Sequence, residues 1–197
     1  MQAPNYNFDK RRFETFFDGI IAIILTILVL ELKLPETEHA ENLSTQQQLV
    51  CLLPMFVSYT GSFLLIVGIW LDHHILFLNV QKLTKPYVLL NMLFILSLSI
   101  VPFTTAFAGN HYHDNFAVAL LFANYFVMNV FFGMLYWYGS VKKLVSKEFL
   151  DDNKTTSIYS AIGIIGLAFA IPLAYFNTYL SFALGILIFS GHLLKKK

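Results

Sequence analysis

The chain has 197 residues, of which 57% are hydrophobic and 13% are charged, and its formal net charge is only +1. Together with a mean hydropathy of +0.64, this composition excludes a soluble enzyme, a nucleic-acid-binding protein with a basic face and a disordered tail. The single cysteine, Cys51, cannot form an internal disulfide. The sequence therefore predicts a membrane protein.

Six apolar segments come close to the roughly 20 residues that a helix needs to cross a bilayer. Runs such as IAIILTILVL are apolar on every side, whereas a strand of a membrane barrel would alternate in polarity. Pro54, Pro102 and Pro172 lie inside three of these segments and indicate kinks. We predict an all-α membrane protein with one six-helix transmembrane domain over residues 1–197, its spans covering 13–34, 49–71, 87–108, 116–138, 157–176 and 179–194.

The basic residues predict the orientation of these spans. Every lysine and arginine except Lys33 falls on the same side of the predicted membrane. The positive-inside rule then makes both the N and the C terminus cytoplasmic. The outer loops are acidic instead, which either concentrates cations at an outer mouth or simply keeps the loops solvated. The acidic residues there are Glu31, Glu36, Glu38, Glu41 and Asp114.

The first span carries charge at its inner end, ahead of a run of branched aliphatic residues. An ionised side chain at membrane depth costs about 2.5–3.5 kcal/mol, so such groups need partners. The second span returns to this depth with polar residues of its own. We predict a hydrogen-bonded structural network that fixes the orientation of the first helix. Its members are Arg12, Asp18, Trp70 and His73.

Two histidine-containing segments are candidates for metal sites. Adjacent histidines point about 100° apart on a helix, which disfavours chelation by Asp72, His73 and His74. The loop HYHD has an HxH spacing but no general base or nucleophile nearby, so adventitious surface residues are the better interpretation of His111, His113 and Asp114. We therefore expect no metal, no cofactor and no enzymatic activity.

Farther outward, the first span presents a purely aliphatic stripe at steps of three and four residues, with the hydroxyl of Thr26 beside it. Periodicity alone favours core packing for such a stripe more often than a pore. Its members are Ile20, Ile23, Ile27, Leu30 and Leu34.

The segment RFETFFDGIIAIILTILVLELKLP resembles the signature of the transmembrane protein 175 family, the potassium channels of endosomes and lysosomes and their bacterial relatives. The family pattern RxxxFSDG and its LELK-type end are matched at Arg12, Phe16, Asp18, Gly19, Glu31 and Lys33. Phe17 stands where the family has serine, which removes one hydroxyl from the expected polar network.

This resemblance implies that the first helix lines a pore, in which Ile23 narrows the conduit and Ile27 and Leu30 add further apolar layers. Thr26 is the position at which family members can offer a hydroxyl to the ion. A single copy of the motif implies a bacterial homotetramer in the cell membrane. The sequence has no TVGYG-type filter, so selection by rings of backbone carbonyls is not expected.

The sequence thus predicts a channel for potassium ions, modestly selective over sodium, that associates with membrane lipid and with copies of itself but not with nucleic acid. The alternative is a proton-coupled cation transporter using Asp18 and His73. Transporters often show internal repeats, and we find no convincing repeat between residues 1–108 and 109–197.

Overall fold

The computed structural model describes residues 8–33, 44–152 and 154–193, and within these ranges the chain is helical with no β-strand. The described helices are α1 (Lys10–Leu30), α2 (Thr45–Cys51), α3 (Leu53–Leu78), α4 (Lys85–Ser99), α5 (Val101–Asn110), α6 (Asn115–Val141), α7 (Lys147–Asp152), α8 (Lys154–Phe176) and α9 (Thr178–Leu193). An all-α fold agrees with the sequence prediction.

Four stretches of the described chain are long and apolar enough to cross a membrane: α1, α3, the pair α4 and α5, and α6. The apolar parts of α8 and α9 are shorter, at Ala161–Phe176 and Thr178–Ile188. The chain is accordingly a multi-pass membrane protein, while the count of six spans and the cytoplasmic termini stay predictions. The predicted ends at 34 and 194, and the acidic positions 36, 38 and 41, lie outside the described residues.

Two of the three prolines that lie inside the predicted spans follow one-residue interruptions between helices. Pro54 lies in the first turn of α3 and Pro102 in the first turn of α5, where a missing N–H is tolerated. The residues between the helices, Leu52 and Ile100, keep right-handed helical backbone angles. Pro172, by contrast, lies inside the continuous helix α8.

Helix α6 is the centre of the bundle, because it packs against α4, α5, α8 and α9. Helix α1 lies to one side, where it packs against α3 and, less extensively, against α4 and α5. The face of α1 that meets these helices buries Phe13, Phe17, Ile21, Ile24 and Leu28. The opposite face of α1 has no partner within the described chain.

Candidate functional site

A stack of aromatic rings fixes the N-terminal half of α1 against α3. The imidazole of His73 lies 3.6 Å from the ring of Phe17, centroid to centroid, with the two planes 14° apart. On α3 itself, Phe77 lies 4.4 Å from His73 and also stacks on Phe13 at 5.4 Å. Phe94 of α4 extends the stack at 6.0 Å from Phe17. Because these contacts come from three helices, they determine which face of α1 turns away from the bundle.

The hydrogen bond of His73 goes to α4 rather than to α1. His73 is 2% exposed, and its Nε2 lies 3.1 Å from Oδ1 of Asn91. The amide nitrogen of Asn91 in turn donates to the Tyr87 carbonyl at 2.8 Å. Asn91 was not among the predicted site residues, although an asparagine within an apolar span signals that a buried partner is required.

The structure brings Asp18 and Trp70 together, since the indole Nε1–H donates to Oδ1 of Asp18 at 2.8 Å. Arg12 is exposed, and its guanidinium makes no hydrogen bond or ion pair within the described ranges. The four predicted network residues therefore divide between an Asp18–Trp70 pair, a His73–Asn91 pair and a solvent-facing Arg12.

Lys10, which the sequence analysis did not single out, anchors the start of α1. Its ammonium donates to the carbonyls of Val80 at 2.9 Å and Leu78 at 3.2 Å, just after and at the end of α3. It also lies 3.9 Å from Oε1 of Glu14. A cation at the carboxyl end of a helix is favoured by the exposed carbonyls and by the helix dipole.

The outward-facing side of α1 carries the aliphatic stripe. Ile23, Ile27 and Leu30 are 58%, 40% and 69% exposed, respectively. At 100° per residue, their mean direction lies roughly 110° from that of the buried face. Thr26 is exposed beside them and donates its hydroxyl to the carbonyl of Ile23 at 2.8 Å. Ile20 is only partly exposed, and Leu34 lies outside the described residues.

The histidines of the HYHD loop each have a local partner. Nδ1 of His111 lies 3.0 Å from the Phe107 carbonyl, and Nδ1 of His113 lies 3.3 Å from the hydroxyl of Tyr179. Asp114 caps α6 by accepting the N–H groups of its first turn. Across the described ranges, no group of three histidine, cysteine, aspartate or glutamate side chains is arranged to hold a metal ion.

Comparison with known proteins finds similarity over the first half of the chain. The model of the family described as endosomal/lysosomal potassium channel TMEM175 matches residues 12–102, from α1 into α5. A protein named as a potassium channel in Chryseobacterium sp. (strain P1-3) is 37% identical over 107 residues, which cover 54% of this chain and 53% of that protein. The first half of the chain is therefore similar to the TMEM175 family.

The fold of a TMEM175 homologue from Chamaesiphon minutus matches almost the whole chain. That crystal structure, described as a homologue of the lysosomal potassium-selective channel TMEM175, aligns with a TM-score of 0.84 at 22% identity and covers 94% of this chain and 96% of the other. A bovine TMEM175 protein, named as an endosomal/lysosomal proton channel, is 38% identical over 90 residues, or 43% of this chain and 19% of its own.

The matched region spans about half the length of the Chryseobacterium relative and less than a fifth of the bovine one. The bacterial relatives are named as potassium channels and the bovine one as a proton channel. The motif at the start of α1 departs from the family pattern only at Phe17, which here fills the core position facing His73.

Proposed function

We propose that the chain conducts potassium ions passively through a pore formed by α1 from four identical subunits in a bacterial cell membrane. The observation that carries this proposal is the exposed stripe of Ile23, Ile27 and Leu30 on a helix whose other face is held by aromatic packing. Copies of the stripe that meet around a symmetry axis give successive apolar rings. The names of the bacterial relatives supply the permeant ion.

Rings of isoleucine and leucine act as a barrier because an ion that loses its water in an apolar passage gains no replacement ligands. Such a constriction closes when water leaves it, and it conducts when it widens enough to be wetted. A small tilt or rotation of α1 is sufficient to produce this change. In this proposal Ile23 forms the narrowest ring.

Thr26 supplies a hydroxyl group beside the apolar rings. Because its hydroxyl hydrogen is donated to the Ile23 carbonyl, its oxygen lone pairs stay available to a passing cation or to water. One hydroxyl per subunit replaces few hydration oxygens. Selectivity for potassium over sodium is therefore modest and follows from the lower dehydration cost of potassium.

The contacts of Asp18 and His73 do not favour the proton-coupled transporter. Asp18 accepts from Trp70, whereas His73 is enclosed by aromatic rings and paired with Asn91. Proton flux should nevertheless be measured as well, because the bovine relative is named as a proton channel.

The test is ion flux from purified protein in liposomes, combined with the mass of the detergent complex. We expect a potassium gradient to dissipate faster than a sodium gradient, without dependence on a pH gradient, and a mass of four subunits. Uptake that requires a proton gradient would overturn the proposal in favour of the transporter. If the complex has the mass of one subunit and still conducts potassium, the proposal that several subunits share one pore would be overturned.

A further inference from the structure

Two loops at the same end of the bundle are joined through their backbones. The loop that follows α3 and the loop that follows α6 meet in an antiparallel bridge between Val80 and Val145. Beside this bridge, the N–H of Gln81 donates to the Leu144 carbonyl at 2.8 Å. The two loops therefore form one continuous surface at the ends of α3 and α6.

This surface is strongly basic. Residues 79–85 and 140–147 contain five lysines and neither aspartate nor glutamate. All five lysines are exposed, and none of them forms an ion pair in the described part of the chain. We call them the basic surface; its members are Lys82, Lys85, Lys142, Lys143 and Lys147.

The bridge puts Lys82 and Lys143 at neighbouring positions. Lys82 directly follows Gln81, and Lys143 directly precedes Leu144, the two residues that share the backbone hydrogen bond. Like charges on adjacent segments repel each other, and an anion bound between them removes the repulsion. The backbone pairing thus prepares a place for a negatively charged group.

The backbone of Lys143 is unusual for a lysine. Its φ is 53°, and no other non-glycine residue in the described ranges has a positive φ. Its N–H donates to the Ser140 carbonyl at 3.0 Å, and that of Leu144 donates to the Gly139 carbonyl at 2.8 Å. These are the bonds of a Schellman motif, whose left-handed position is usually glycine. The lysine is accommodated there at a conformational cost, because its Cβ disfavours this backbone geometry.

Exposed apolar side chains border the basic surface on its membrane side. Trp137 is 64% exposed and lies five residues before Lys142, which is roughly 7.5 Å along the axis of α6. Leu78 and Val141 are exposed as well. Because tryptophan favours the boundary between lipid and water, this border places the ammonium groups at the level of lipid headgroups.

We propose that the basic surface binds the phosphate group of an anionic membrane lipid, with Lys82 and Lys143 on either side of the phosphate. Clusters of about four to eight basic residues next to membrane helices attract anionic headgroups. The acyl chains of the same lipid lie along the apolar border formed by Leu78, Trp137 and Val141. This proposal depends on the membrane location of the chain and not on the ion that it conducts.

The test is lipid binding to the complete protein, purified in a neutral detergent and labelled at the exposed Cys51, beyond the opposite end of α3. Phosphatidylglycerol and phosphatidylcholine with identical acyl chains are titrated by microscale thermophoresis. We expect phosphatidylglycerol to bind at least ten-fold more tightly, with a preference that shrinks as salt is raised. Equal affinities would overturn the proposal. Displacement of phosphatidylglycerol by an equal concentration of inorganic phosphate would identify a site for soluble anions and would overturn it as well.

Lys143→Gly separates the charge from the backbone. Glycine adopts a positive φ without strain, so we expect Tm without lipid to stay the same or to rise. The affinity for phosphatidylglycerol should nevertheless fall about five-fold, the usual contribution of one lysine near an anionic surface. Lys82→Gln should cause a similar loss. Unchanged affinity in either variant would contradict the assignment.

Lys33→Gln is the matched control for these substitutions. The Lys33 side chain is 70% exposed and follows the opposite end of α1, where it lies 4.0 Å from Glu31. The affinity of this variant for phosphatidylglycerol should equal that of the unaltered protein. A five-fold loss here too would show that any exposed lysine attracts the lipid, and the proposed site would be wrong.

Discussion

Phe17 is the residue that most directly ties α1 to the bundle. It is 1% exposed and stacks on both His73 and Phe94, at the position where the family pattern has a serine. A hydroxyl there would enlarge the polar network, whereas the phenyl ring replaces it with apolar packing. We infer that ring contacts hold the N-terminal half of α1 in this protein.

Removal of that ring should destabilise the protein. We expect Phe17→Ala to lower the free energy of unfolding by about 3–5 kcal/mol, the usual cost of emptying a buried phenylalanine site. The measurement is thermal unfolding in detergent. Phe16→Ala is the control, because Phe16 is 51% exposed in the subunit and should change Tm much less. Equal losses in the two variants would contradict the anchoring role of Phe17.

Ile23 carries the prediction for conduction. We expect Ile23→Asn to increase potassium flux into liposomes at least several-fold and to lower the ratio of potassium to sodium flux, because an amide wets the narrowest ring. Ile162→Asn on α8 is the matched control, since Ile162 is 56% exposed and Ile23 is 58% exposed. Unchanged conduction in Ile23→Asn would argue against a constriction at this position.

Part of the candidate site follows from sequence at this scale, and part does not. Two antiparallel spans place Trp70 at the depth of Asp18, and in the structure these side chains are hydrogen-bonded. The partner of His73 depends instead on how α4 packs, which a linear pattern does not encode. Lys10 was missed for a similar reason, because its acceptors are backbone carbonyls at the end of α3.

At the scale of elements, hydropathy located the helices but not their ends. Helix α3 continues to Leu78, beyond the predicted limit at 71, because charged and polar residues end an apolar pattern without ending a helix. The interruptions ahead of Pro54 and Pro102 arise because proline is accommodated in a first helical turn. Hydropathy therefore indicates which part of a helix can cross the membrane, whereas capping residues and prolines determine where the helix begins and ends.

The start of α1 is held by one lysine across two elements. Lys10 joins α1 to the segment after α3, and the N–H of Gln81 in that segment donates to the Leu144 carbonyl at 2.8 Å. We expect Lys10→Met to speed amide hydrogen exchange in the first turns of α1, with little change in α6. Lys33→Met is the control, because the Lys33 side chain is 70% exposed. Unaltered exchange in Lys10→Met would contradict the anchoring role.

At the scale of the whole molecule, one subunit contains the helix bundle but does not form the proposed pore by itself. The described helices pack around α6 into one bundle, with α1 at its side and the aliphatic stripe turned away from the core. A helical pattern identifies such a stripe, but it does not reveal whether lipid or a neighbouring subunit covers it. The family resemblance is what favours a neighbouring subunit over lipid, and coverage of the stripe by neighbouring subunits is the central proposal.

Cysteine modification tests that proposal most directly. In a Cys51→Ser background, Ile27→Cys is treated with a cationic methanethiosulfonate reagent, while potassium flux and the mass of the protein are recorded. Ile162→Cys, on α8, serves as the control for an exposed isoleucine outside the pore. We predict that the reagent modifies Ile27→Cys and abolishes its flux, and that flux through Ile162→Cys is unchanged. An Ile27→Cys protein that stays unmodified while conducting, or that conducts normally after modification, would contradict a pore lined by α1.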